Sequence, residues 1–369
     1  MRLLTTILVA LTAWPLMASG AERLQTSAGP VLVEQRVGGL SQPWAIGFLP
    51  DGGQLITLRD GGLVLVRDGA ATPVEGVPQV LADGQGGLLD LVVARDFATS
   101  REVFLSYAKP MARGAGTALA AARLSADGRR LEDLRVLFEM SAGSRRTQHY
   151  GSRIVEAPDG TLFLTIGDRG DRGRAQDLGV HNGKVVRVTR SGAVPGDNPS
   201  LSGAQPEIWS YGHRNPQGAA LDERGRLWTV EHGARGGDEI NRPEAGRNYG
   251  WPIISYGRHY SGLRIGEGTA KAGMEQPAHY WDPSIAPSGM MIYSVRLFPE
   301  WRGDIFVGSL KFDMISRLDR EGERVREAER LFQDKFQRIR DVREAPDGSI
   351  WFLSVVDGAA YRITPAPAS

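Results

Sequence analysis

An apolar stretch, a turn closed by glycine and a second apolar stretch recur along this chain, and no other feature constrains its fold as much. Residues 44–49 lead through Pro50-Asp51-Gly52 into 55–58, and 152–155 through Pro158-Asp159-Gly160 into 162–166. Residues 218–221 lead through 222–225 into 227–230, and 291–293 through 299–303 into 305–307. Residues 339–342 lead through Pro346-Asp347-Gly348 into 350–353, and a looser copy joins 88–93 to 103–105 through Arg95-Asp96-Phe97. In such a turn Pro presets φ, Asp bonds its own backbone and Gly accepts a positive φ, so each unit reads as a β-hairpin. One hairpin cannot bury its own faces. Six of them at intervals of about 45 to 75 residues predict radial repetition, an all-β, six-bladed β-propeller. A β-sandwich or barrel is the other architecture with short strands and tight turns.

The 47 Gly and 21 Pro suit many short strands and argue against long helices. No linker interrupts the chain, so one domain is expected over residues 22–363, with longer loops at 201–203 and 260–273 and a disordered, Pro- and Ala-rich tail at 364–369. Residues 1–21 are set apart. Met1-Arg2 gives a positive start, 3–11 are almost wholly apolar, and Ala18-Ser19-Gly20-Ala21 offers small residues for cleavage. This is the plan of a signal peptide, shorter than the roughly 20 apolar residues a membrane span needs. A periplasmic or secreted protein is expected.

Charge excludes some functions. Lys and Arg number 44 against 43 Asp and Glu, so bulk charge drives no binding to nucleic acid or anionic membrane. The absence of Cys removes disulfides, thiolate nucleophiles, Cys-ligated zinc and iron–sulfur clusters.

Propellers carry function in loops at one end of the central channel. Six places concentrate polar residues there. Gln85 lies between glycines that let a ligand approach closely. His149 precedes one strand and Asp168 follows the next; a carboxylate beside an imidazole fixes its tautomer and raises its basicity. Arg214-Asn215 offers a guanidinium fork and a carboxamide to an anionic, planar ligand. The loop from Glu231-His232-Gly233-Ala234 to Asp238-Glu239, and on to Asn248-Tyr249-Gly250-Trp251, offers carbonyls and carboxylates suited to Ca²⁺ without EF-hand spacing. Lys311 follows the strand at 305–307. Arg338 and Arg340 stand two apart in a presumed strand, so they share a face and repel unless an anion lies between them. Each place also has a plain structural reading, as a tight turn, a core histidine or a solvated charge.

Taken in order, Gly84-Gln85-Gly86-Gly87-Leu88-Leu89, His149, Ile166-Gly167-Asp168, Gly212-His213-Arg214-Asn215-Pro216-Gln217-Gly218, Glu231-His232-Gly233, Asp238-Glu239, Asn248-Tyr249-Gly250-Trp251, 283–289, Leu310-Lys311 and Arg338-Ile339-Arg340-Asp341-Val342 resemble the soluble quinoprotein glucose/sorbosone dehydrogenases, especially their aldose sugar dehydrogenase branch. The resemblance covers nearly all of the chain after the leader. It implies a six-bladed propeller that holds pyrroloquinoline quinone (PQQ) and Ca²⁺ at its channel mouth and oxidises aldoses at C1 to aldonolactones. Hydride would pass to C5 of the quinone, and electrons would go on to an external quinone, cytochrome or dye. It implies that His149 is the base and Asp168 its orienting partner. Gln85, Arg214, Asn215, Lys311, Arg338 and Arg340 would cradle the cofactor. Gly233 and Ala234 would offer carbonyls to the metal, with Glu239 and Tyr249 near a calcium site. Ala234 departs from the Pro of the glucose dehydrogenases, and Gln148 from their Asp. The competing readings are a Ca²⁺-dependent, lactonase-type hydrolase on the same architecture and a non-catalytic binding propeller.

Overall fold

The inner strands of this chain are buried on both faces, as strands sandwiched between neighbouring sheets must be. Every residue of Thr161–Ile166, Leu227–Glu231 and Ile350–Ser354 is buried. Outer strands such as Arg324–Leu331 instead present charged residues to solvent. In the computed structural model, which describes residues 20–294 and 296–367, these strands form six antiparallel sheets, the blades of a propeller. The six hairpins expected from sequence are the two inner strands of the six blades. In the Pro-Asp-Gly turns the aspartate carboxylate accepts a main-chain N–H two residues on, from Gly53, Thr161 and Ser349.

The sixth blade closes the ring. Ile339–Glu344, Ile350–Ser354 and Ala359–Pro365 are joined by Gly29–Val37 and Glu22–Thr26 from the other end of the chain. Register runs from Val31↔Pro365 to Val37↔Ala360, so the two ends of the chain are tied into one sheet. This corrects the expected tail. Thr364 and Pro365 are ladder residues, and the Ala366 N–H donates to the Pro30 carbonyl at 2.9 Å. The expected leader falls outside the described residues up to position 19. Among the described residues no helix is long and apolar enough to cross a membrane.

The hydrophobic core lies between blades rather than at the centre. Trp44 and Leu55 pack on Leu89 and Leu105, Phe104 and Leu119 on Ile154 and Leu164, and Phe163 and Val185 on Ala219 and Leu227. Trp228 and Val230 pack on Met290 and Ile305, Phe306 on Phe352, and Trp351 and Leu353 on Ile46 and Ile56. Each such side chain contributes about 1.5–3 kcal/mol on burial. Hydroxyls add latches between blades: Thr57 donates to Leu89 O at 2.6 Å, Ser106 to Ser152 O at 2.6 Å and Thr165 to Pro216 O at 3.0 Å.

The central channel is plugged by charge. Arg153 Nη1 lies 3.0 Å from Asp90 and 2.9 Å from Asp341, and Arg343 reaches the same two carboxylates at 2.6 and 3.0 Å. Arg153 also donates to Gln217 O at 2.9 Å and lies 4.5 Å from the Trp44 ring. Five blades therefore meet at one guanidinium, which forms the floor beneath the site.

Candidate active site

Each inner strand begins, and each second strand ends, at the same rim of the ring. A cavity of about 380 Å³ opens there, within the range of small-molecule sites. Three guanidiniums line it, from Arg59, Arg338 and Arg340. None has a carboxylate partner among the described residues. Arg59 donates to Gln42 Oε1 at 2.7 Å, Arg338 to Leu310 O at 3.1 Å and Arg340 to Gln217 Oε1 at 3.0 Å. Burial and the like charges of Arg338, Arg153 and Arg59 pull Arg340 down to about 9. The cavity holds positive charge that the protein does not neutralise, which suits an anionic ligand.

Arg338 and Arg340 meet here, but not through the shared strand face expected from sequence. The strand begins at Ile339, Arg338 precedes it with a φ of 53°, and a register shift falls at Arg340. The Arg338 N–H is held by Asp313 Oδ1 at 2.8 Å. A bulge and a left-handed residue, rather than the period of two, aim both side chains at the cavity. Gln85 and Asn215 also line it. Lys311 does not: it is exposed and donates to Ser284 O at 3.2 Å. Arg214 is buried beside the cavity, donating to His232 O at 3.2 Å with its guanidinium 5.3 Å from the Trp251 ring.

His149 and Asp168 are brought together as expected, with Nδ1 2.7 Å from Oδ1. His149 adopts a φ of 57°, and its main-chain N–H is held by Gln85 Oε1 at 2.7 Å. Gly167 permits this, because a Cβ there would lie 2.2 Å from the His149 carbonyl oxygen. Asp168 accepts further from Gly170 N at 2.6 Å and from Trp251 Nε1 at 2.9 Å. Burial pushes the Asp168 carboxyl up, but its bond to His149, the charges of His149 and Arg214 and the Gly170 N–H carry it below the usual range. Burial holds the His149 imidazole below its ordinary value, with Arg214 and Arg169 adding to the effect and Asp168 opposing it. The pair is therefore a neutral imidazole on an ionised carboxylate at neutral pH.

Three residues of this site were not singled out by sequence reasoning. Trp251 sits in a quoted motif, but its link to Asp168 spans 83 residues. Arg169 is fully buried against Tyr150, 3.3 Å from the ring, and its fork ties the carbonyls of Arg146 (2.7 Å) and Gln148, the segment that delivers His149. Arg59 carries no local signal beyond its place at the end of a strand.

A second, much smaller cavity of about 10 Å³ adjoins the first through His232, and Gly233, Glu239, Tyr249 and Arg214 line it. That is close to the room one water or ion needs. Burial, with the charges of Glu231 and Asp238, pushes the Glu239 carboxyl up to about 8. The Tyr249 hydroxyl is committed elsewhere, bonded to Arg242 O and accepting the Glu244 N–H at 3.0 Å, so the oxygen it can offer is its carbonyl. Ala234 is buried in the adjoining turn. Asp238 organises the loop instead, accepting from Gly233 N at 2.8 Å, Ser284 Oγ and Ile285 N, both at 2.7 Å. Among the described residues no three His, Cys, Asp or Glu side chains gather to hold a metal.

The family model for glucose/sorbosone dehydrogenase matches residues 40–362. The aldose sugar dehydrogenase YliI of Escherichia coli K12 is 46% identical over 336 residues, covering 88% of this chain and 91% of that one. The crystal structure of the soluble aldose sugar dehydrogenase of Escherichia coli in the apo-form superposes with a TM-score of 0.88 at 45% identity, covering 91% and 100% of the two chains. The PQQ-bound form of the aldose sugar dehydrogenase of Streptomyces coelicolor gives 0.76 at 26% identity, covering 90% and 98%.

Proposed function

We propose, on the premise that this chain belongs to the glucose/sorbosone dehydrogenase family, that it is a quinoprotein oxidoreductase that oxidises aldose sugars at C1 to aldonolactones with PQQ and Ca²⁺. The observation that carries this reading is the convergence of Arg59, Arg338 and Arg340, none ion-paired among the described residues, on one cavity beside the His149–Asp168 pair.

The residues fit the cofactor by charge. PQQ carries three carboxylates, and three guanidinium forks, with the amides of Gln85 and Asn215, match them in number and sign. Arg214 supports the rim, and Lys311 would have to swing from Ser284 to join. The small cavity fits Ca²⁺, a hard cation that takes carboxylate and carbonyl oxygens. Glu239 would supply charge there, Gly233, Ala234 and Tyr249 carbonyls, and a bound cation would reverse the upward push on the Glu239 carboxyl. When bound, PQQ supplies the two-electron acceptor, polarised by the metal.

The protein's own part is acid–base chemistry. Nδ1 of His149 is committed to Asp168, which leaves Nε2 as the lone pair that takes the proton of the anomeric hydroxyl. Asp168 stabilises the imidazolium that results, and Trp251 and the Gly170 N–H hold Asp168 in place. Arg169 and Gln85 fix the backbone from which His149 projects. A cleaved leader at 1–21, as the sequence suggests, would put this reaction outside the cytoplasm.

Calorimetric titration of PQQ tests the cradle. Arg340→Ala removes a charge-assisted hydrogen bond, a loss of about 1.5–3 kcal/mol, or about one to two decades in affinity. The same change relieves repulsion with Arg338, Arg153 and Arg59, so the cofactor-free protein should keep or slightly gain stability. Unchanged PQQ affinity would remove Arg340 from the site.

A further inference from the structure

Three arginines stand in a row beside this site. Arg235 pairs antiparallel with Arg258, and Arg258 pairs antiparallel with Arg264. Arg235 and Arg258 exchange both main-chain bonds, at 2.9 and 3.1 Å. His259 N–H donates to Leu263 O at 2.8 Å, which makes Arg258 and Arg264 the closer, non-hydrogen-bonded kind of pair. Directly opposed residues project to one face, where like charges repel. All three side chains are exposed, and none has an ion-pair partner among the described residues. The chain as a whole is almost neutral, so this row is a local concentration and not a general bias.

The row belongs to a hairpin whose tip presents an aromatic and an aliphatic side chain, Tyr260 at 77% and Leu263 at 69% exposure. The hairpin is anchored to the site. Ile265 is fully buried against Ala175, Ala234 and Trp251, and His259 Nε2 lies 2.9 Å from Arg172 Nη1. Trp251 holds Asp168, and Ala234 stands in the loop of the small cavity. Arginine and aromatic residues are enriched in protein-binding surfaces. A small acceptor would need only the open cavity.

We propose that Arg235, Arg258 and Arg264, with the 258–264 hairpin, are the docking surface for the protein that collects the electrons, a one-electron haem protein with an acidic face. This rests on the dehydrogenase reading. Oxidation of one aldose to its lactone releases two electrons and two protons. Two ferric haem proteins, docking in turn, each take one electron, and the protons go to solvent.

The probes are cytochrome c with succinylated lysines, which is acidic, unmodified basic cytochrome c, and a small neutral dye. With aldose and reconstituted enzyme at low salt, the acidic cytochrome should be reduced about tenfold faster than the basic one, with the advantage lost as salt rises. Arg235→Glu/Arg258→Glu/Arg264→Glu should slow the acidic cytochrome by about tenfold or more and leave dye reduction unchanged. The triple Gln variant serves if the triple Glu variant misfolds. Direct binding of the acidic cytochrome to cofactor-free protein should weaken in parallel. That readout stands even if no sugar reduces the dye, a result that would count against the dehydrogenase reading alone. Equal rates with both cytochromes, unchanged binding in the variants, or tighter binding to anionic vesicles than to the acidic cytochrome overturns the proposal.

Discussion

His149→Gln should retain PQQ binding and lose turnover by about 10²-fold or more, the scale on which a general base contributes. Glutamine keeps polarity and approximate length but offers no lone pair basic enough to take the anomeric proton. Asp168→Asn should lose less, because the imidazole remains and only its tautomer and orientation suffer. The two variants also differ in pH dependence. In the wild type His149 is neutral above its pKa, which burial holds below the ordinary imidazole value. Activity should therefore be flat at neutral pH and fall as pH drops through a point below about 6.5. Asp168 is the group that raises that pKa, so Asp168→Asn should move the acid limb to still lower pH while lowering the plateau. Initial rates across pH with saturating aldose and dye decide this. Near wild-type turnover in His149→Gln would deny it the role of base.

The largest effect on stability should come from the channel floor. Arg153→Met leaves Asp90 and Asp341 buried with one guanidinium instead of two and removes the donor to Gln217 O. Breaking a buried pair on one side costs about 3–5 kcal/mol. The lower end is expected, because Arg343 still reaches both carboxylates. Asp341→Ala should cost at least as much, since it leaves two guanidiniums to share Asp90 alone and also loses the Ile46 N–H bond at 3.2 Å. Both variants should weaken PQQ binding indirectly, through Trp44 and Gln217, which line the cavity and touch Arg153. Denaturant unfolding of the cofactor-free proteins measures the first effect; a change below about 1 kcal/mol would mean that the network is solvated and contributes little.

The inner hairpins were legible because a short turn between two apolar stretches is a local signal, clearest in the three Pro-Asp-Gly turns. The closure of the ring was not, because the pairing of Val31 with Pro365 joins residues at opposite ends of the chain through backbone groups that any sequence carries. For the same reason Thr364 and Pro365 looked like tail. The site was legible where a motif places two groups at neighbouring strand ends, as with His149 and Asp168. It was not where long loops return to the channel, as with Trp251, or where an arginine follows a strand without a pattern around it, as with Arg59. Arg338 and Arg340 do converge, but through a left-handed residue and a bulge that an alternating pattern cannot foresee. Lys311 is the opposite case, a residue named by motif whose side chain turns to Ser284 instead of lining the cavity.

A PQQ and Ca²⁺ site for aldose oxidation at the channel mouth is tested most directly by reconstitution of purified protein after exhaustive dialysis against chelator, with dye reduction followed on a panel of aldoses. Neither PQQ nor Ca²⁺ alone should restore activity, and the two together should, with a rise in melting temperature because both bind the folded state. Full activity after dialysis with no PQQ added, or no aldose-dependent reduction with both present, would contradict it.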